Sequence, residues 1–249
     1  MDTARAAADA SEPPQMSESG RMGGVFWDPK PVFRGLAARP RWLVPLVLIT
    51  LVSVIWIATF SQVVGWETVL RQAFEQNPRL QEIPAEQQAR IMEQQVKVAG
   101  VTGFPGGLLG PAVIVLLVAA LLMVVFRVVA GPPMRFGVSL GFVSYAWLPF
   151  VLYQLIALAA MLAGNPADFN LQNPVPFNPG WFLNPLETPA WLVALASAFD
   201  LFVFWVMALL ALAFSVAGHR LGFGQAFAII FFTWLPLVLA RAGWAALFG

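Results

Sequence analysis

The chain has 249 residues, of which 59% are hydrophobic and 11% charged, with a mean hydropathy of +0.74 and a net charge of +1. Soluble domains carry roughly 25% charged residues, so a cytosolic globular enzyme is excluded and a polytopic membrane protein is expected. Cys is 0 and His is 1, which leaves no disulfide, thiolate or His-built metal chemistry. No catalytic centre, cofactor or nucleic-acid partner is expected.

Residues 1–24 are rich in Ala, Ser, Pro and Glu and poor in large apolar side chains, so they read as a disordered tail, with Met16 or Met22 as alternative starts. No signal peptide is expected, because the first apolar run begins after about 40 residues. The remainder, 25–249, forms a membrane domain. A crossing helix needs ~20 apolar residues, and five stretches supply them, at about 42–60, 110–130, 136–162, 189–217 and 223–248. Their apolarity is continuous rather than alternating, which selects helices over a closed barrel. The expected fold is therefore all-α, a bundle of five membrane helices.

Two segments lie between spans on the far side. Residues 63–104 predict an external helical insertion, broken at Asn77-Pro78 and reopened after Ile83-Pro84, with Ala85, Ala89, Met92, Val96 and Ala99 along one face. Residues 164–189 hold Pro166, Pro174, Pro176, Pro179, Pro185 and Pro189. That density forbids a regular helix, and Phe169, Phe177, Trp181 and Phe182 suit a headgroup interface.

Orientation follows from Lys and Arg near the membrane. Nine lie on the N-terminal side (Arg5, Arg21, Lys30, Arg34, Arg39, Arg41, Arg127, Arg135 and Arg220). Five lie opposite (Arg71, Arg79, Arg90, Lys97 and Arg241). The expectation is a multi-pass cell-membrane protein with a cytoplasmic N-terminus and an external C-terminus.

The chain carries an internal duplication. Residues 136–152 align without gaps on 223–239, with seven identities in 17 positions, including Trp147-Leu148-Pro149 and Trp234-Leu235-Pro236. The preceding helices match at Leu121, Leu122, Phe126 and Val128 against Leu209, Leu210, Phe214 and Val216. Two crossings separate the copies, so a parallel two-helix repeat is expected, spans two–three and four–five. Each copy opens with small residues four apart, Gly137/Gly141 and Gly224/Ala228, which permit close helix approach. Pro149 and Pro236 are the expected helix kinks, since each removes one backbone hydrogen bond.

Asp200 is the one acid well inside a span, 11 residues from Pro189, or ~16 Å deep. Arg241 lies at comparable depth in the fifth span, and its repeat equivalent is Gln154. A charge at that depth is costly alone, so Asp200, Arg241 and Gln154 form the candidate intramembrane polar cluster, built on an Asp200–Arg241 ion pair. Residues 137–141 match the G-x-S-x-G nucleophile pattern around Ser139, with His219 on the same side. The pattern requires a strand–turn–helix context, and here it opens a membrane helix.

The segment Asp28-Pro-Lys-Pro-Val-Phe-Arg-Gly-Leu-Ala-Ala-Arg-Pro-Arg-Trp42, the five spans and the Pro-bearing third and fifth helices resemble the Yip family, the Ypt/Rab-GTPase-interacting membrane proteins, in its bacterial branch. Phe199-Asp200-Leu201-Phe202 followed by Trp205 is similar as well. The resemblance covers about residues 26–248. It implies a five-span membrane protein without catalysis, an organiser or adaptor working through helix packing and contacts with membrane lipid or protein. A homo-oligomer is a further possible partner. Eukaryotic relatives bind small GTPases through a cytosolic N-terminal region. Here that region is short and lacks an Asp-Leu-Tyr-Gly-Pro motif, so a GTPase partner is not expected. The alternative reading is a small transporter or lipid-handling protein that uses the kinked hairpins.

Overall fold

The computed structural model describes residues 16–131, 134–217 and 221–248. Arg5, His219, Arg220 and the tail before Met16 lie outside the described residues. The elements run in order α1 (Glu18–Trp27), α2 (Pro29–Ala38), α3 (Leu43–Val63), α4 (Trp66–Gln76), α5 (Pro78–Gln81) and α6 (Ala85–Ala130). They continue with α7 (Phe136–Ala146), α8 (Leu148–Ala163), α9 (Ala190–Ala198), α10 (Leu201–Ala217) and α11 (Phe223–Phe248). Helix is the only regular structure among the described residues apart from two 3-10 turns, Pro166–Asp168 and Pro179–Phe182.

Among the described residues, four helical segments are long and apolar enough to cross a membrane: α3, α6, α7 with α8, and α11. The pair α9–α10 makes a fifth if read as one span broken by a 44° bend. α6 packs on α3 and on α7, α8 packs on α3, and α11 packs on both α9 and α10. The main core gathers Val115, Ala119, Leu122 and Phe126 of α6, Phe142 and Tyr145 of α7, and Leu210 and Phe214 of α10. The Phe126 and Phe214 rings stack at 4.1 Å.

The N-terminal region corrects the tail reading for residues 18–24. Ser17 caps α1 by accepting a hydrogen bond from the Gly20 N–H at 3.1 Å. Asp28-Pro29 then opens α2 with proline in its first turn, where the missing N–H costs nothing. The pair is amphipathic. Val25, Val32, Phe33 and Leu36 are buried in the main core, and Phe33 meets Phe142 edge-on at 5.8 Å. Residues 18–24 are mostly small or polar themselves, and the large side chains that anchor their helix come after them in the chain.

The 63–104 insertion breaks where expected, after Gln76 and before Ala85. It does not end before the second span, however. α6 runs 46 residues without interruption through Pro105 and Pro111, a length of ~69 Å at 1.5 Å per residue. Its first turns are polar and bear the i,i+4 pairs Glu86–Arg90 and Glu93–Lys97. Met92, Val96 and Ala99 are half-buried, while Ala85 and Ala89 are exposed.

Helix breaks follow proline only in part. The backbone interrupts once at Trp147, just before Leu148-Pro149, and α7–α8 still counts as a single span. α11 is continuous through Pro236. The sharp bend lies at Phe199-Asp200, where there is no proline.

Candidate functional site

The bend between α9 and α10 frees backbone N–H groups in an apolar interior, where an unpaired group is costly. Asp200 answers this as the cap of α10. Its Oδ1 accepts from the Phe202 N–H at 2.8 Å, and its Oδ2 accepts from Asn178 Nδ2 at 3.3 Å. The Leu201 N–H donates to the Phe177 carbonyl at 3.0 Å. Both external partners come from the proline-rich 164–189 segment, which dips into the bundle as far as the break.

That segment is held from inside. Asn178 Oδ1 accepts from the Trp181 N–H, capping the second 3-10 turn. Asn173 Nδ2 donates to Ser197 Oγ at 2.9 Å, and Ser197 donates on to the Val193 carbonyl. Gly180 is required here, since a Cβ would stand 2.8 Å from the Ser197 nitrogen. Asn173, Asn178 and Asp200 are 2%, 5% and 6% exposed. Asn173 Oδ1 accepts no hydrogen bond among the described residues.

Aromatic rings close the site. Phe177 and Tyr153 each pack edge-on to Phe202, at 5.1 and 5.4 Å, and Phe202 leans on Trp205. Trp205 meets Phe26 of α1, so the ring contacts run from the proline-rich segment to the N-terminal hairpin. Trp234 packs against Phe199 and Phe204 from α11. The segment's aromatics thus divide. Phe169 is buried and Phe177 half-buried, whereas Trp181 and Phe182 are exposed.

The expected cluster is only partly assembled. Asp200 is buried, but Arg241 is exposed and makes no ion pair with it among the described residues. Similar depth along two helices does not set azimuth. α11 turns Ala226, Ile230, Val238 and Ala242 inward, which leaves Arg241 on the outer face. Gln154 is half-buried and shares no hydrogen bond with Asp200. Ser139 is fully buried and donates to the Ala119 carbonyl at 2.7 Å, a helix-to-helix bond rather than a nucleophile's setting.

A second polar group was not anticipated. Glu18 Oε1 accepts from Arg41 Nη1 at 2.7 Å and Arg21 Nη1 at 3.2 Å, while its Oε2 accepts from the Tyr145 hydroxyl at 2.6 Å. Arg21 is 6% exposed and Tyr145 fully buried. Burial pushes the Glu18 carboxyl up, yet hydrogen bonds from Tyr145 and Arg41 and the charges of Arg21 and Arg41 outweigh it and hold the group below its ordinary 4.5. The one sequence signal was Ser17-Glu18 as a helix start. The 127-residue separation from Tyr145 left no local trace.

Asp200 with two asparagines, inside a ring-lined break, can cap, hold and hydrogen-bond. No group of three His, Cys, Asp or Glu that would hold a metal ion occurs among the described residues. No curated protein and no solved structure matches the chain. The family model described as the Yip1 domain matches residues 23–245, from the middle of α1 to the last turns of α11. The chain is therefore a membrane protein of the Yip family.

Proposed function

We propose that this protein is a non-enzymatic organiser or adaptor of the cell membrane, acting through helix packing and contacts with lipid or protein. In this reading α9–α10 is one broken span, giving five crossings, a cytoplasmic N-terminus and an external C-terminus. The observation that carries it is how the buried carboxylate is satisfied. Asp200 is met by Asn178 and a backbone N–H and enclosed by Phe177, Tyr153 and Phe202. Those groups join parts of the fold to each other. The exposed apolar faces of α3 and α6, such as Leu51, Val113 and Leu117, suit lipid or a partner helix.

The alternative, a small transporter or lipid-handling protein, draws support from one observation. A broken membrane helix beside a buried acid and the unpartnered Asn173 oxygen is the arrangement transporters use at a substrate site. Reconstitution into proteoliposomes with a trapped pH dye separates the two. The organiser reading expects proton leakage equal to that of protein-free vesicles for wild type and for Asp200→Asn. A wild-type flux abolished by Asp200→Asn, with the fold retained, would establish the alternative.

A further inference from the structure

Where the N-terminal hairpin meets the start of α3, a groove of about 370 Å³ is lined by Glu18, Pro40, Arg41, Trp42, Leu43 and Val44. Its polar wall is made by Glu18 and Arg41, the part of the Glu18 cluster that reaches it. Glu18 carries one negative charge against the two positive charges of Arg21 and Arg41, and its third partner, Tyr145, is an uncharged hydroxyl donor. One positive charge is left in excess. Arg41 is where it is accessible. Its side chain is half exposed, against 7% for Arg21. Only its Nη1 is engaged by Glu18, so the rest of the guanidinium fork has donors for an incoming oxyanion.

The opposite wall is apolar and continues along the membrane helix. Trp42, Leu43 and Val44 are exposed, and Val47, Leu51 and Ile55 extend an exposed stripe up α3. Glu18 carries a single negative charge that Arg21 and the Tyr145 hydroxyl already share, so it leaves Arg41 only partly neutralised. An occupant must therefore bring one negative charge to Arg41 and an apolar chain to the stripe. A phosphodiester headgroup with acyl tails does both, at the depth where basic residues and Trp flank a span.

We infer that this groove seats the headgroup of one anionic phospholipid, with its phosphate on Arg41 and an acyl chain along Leu43, Val47 and Leu51. The inference rests on the lipid-contact part of the organiser reading and gives it a defined position.

The test is native mass spectrometry of the full chain in detergent, titrated with phosphatidylglycerol or phosphatidylcholine. Wild type should retain one phosphatidylglycerol in preference to phosphatidylcholine. Arg41→Gln should lower that retention by about tenfold, the loss expected for one charge-assisted contact. Arg41→Lys should keep most of it, and the distant exchange Arg71→Gln should leave it unchanged. Lipid-free melting curves of Arg41→Gln and Arg41→Lys establish that both are folded. Equal retention of the two lipids, retention indifferent to Arg41→Gln, or displacement of the lipid by inorganic phosphate alone would each overturn the site. Loss of lipid selectivity with proton leakage still at the protein-free level would remove this site and leave the organiser reading standing.

Discussion

The two Trp-Leu-Pro hairpins share a sequence pattern and end in opposite surroundings. In α7 every residue from Val138 to Ala146 is buried. In α11 the buried residues are Ala226, Ile230, Val238 and Ala242, a single stripe at steps of four. Aligned positions make the contrast concrete, for Tyr145 is 0% exposed and its counterpart Phe232 is 66% exposed. The small pairs diverge likewise. A Cβ at Gly137 would meet the Pro40 ring at 3.8 Å and one at Gly141 the Arg41 carbonyl at 3.1 Å, whereas at Gly224, the counterpart of Gly137, nothing among the described residues comes within 4 Å. The difference comes from what covers each helix. α7 is wrapped by α1, α2, α3, α6 and α10, while α11 leans mainly on α9 and α10. Apolarity alone does not separate a buried helix from one facing lipid, because lipid and protein interior are equally apolar.

The breaks differ between the copies too. The first copy interrupts its second helix at Trp147, and the second copy interrupts its first helix at Phe199-Asp200. By the same alignment Pro111 corresponds to Phe199, yet α6 passes through Pro111 unbroken. A proline takes away one backbone bond, whereas Asp200 and the Phe177 carbonyl supply substitutes for the bonds a break loses. Partners outside the helix, not proline, decided where the chain opened.

The contrast predicts unequal responses in the two aligned helices. Phe142, fully buried between Phe33 and Phe214, should lose about 3–5 kcal/mol on Phe142→Ala. Phe232→Ala, on the exposed face of α11, should stay within about 0.5 kcal/mol. Thermal melts in one detergent compare them, and equal losses would break the distinction. Asp200→Ala removes a cap and strands Asn178, for about 2–4 kcal/mol in the same melts. Arg241→Ala should cost less than about 0.5 kcal/mol, and the double variant should be additive. Strong coupling between the two would restore the ion pair.

Tyr145→Phe removes a bond to a charged acceptor that Phe232 lacks by nature, a loss of about 1.5–3 kcal/mol. Glu18 has a folded-state value below the unfolded one, so its contribution is present above 4.5 and disappears as pH falls through the lowered folded value. The penalty of Tyr145→Phe should shrink over that acid range, and Glu18→Gln should flatten the pH dependence. The smallest effect is expected at Ser139→Ala, about 1 kcal/mol for one buried hydrogen bond to Ala119. Its counterpart is already Ala226. A superposition of residues 121–128 on 209–216 in a lipid-embedded experimental structure would sharpen the comparison further. The stacked pair Phe126 and Phe214 marks where a two-fold axis would pass.

Much of this architecture was legible in the residues alone. Long apolar runs announced the spans, since continuous apolarity fits a helix that satisfies its own backbone inside lipid rather than the alternating strands of a closed barrel. Asn77-Pro78 and Ile83-Pro84 marked the breaks of the external insertion, and Asp200 stood out as a buried acid. What the sequence could not carry was azimuth and long-range partnership. Arg241 shares a depth with Asp200, but the four-residue stripe of α11 turns it outward. Asn178 and Phe177 reach Asp200 only because a proline-rich segment folds back into the bundle. Glu18 finds Tyr145 only because a few large side chains hold α1 and α2 against the core. Hydrophobicity and helical period are local properties and set which segments cross. Which faces meet, and which polar groups satisfy one another, depends on packing among all the helices, and tertiary structure alone decided it.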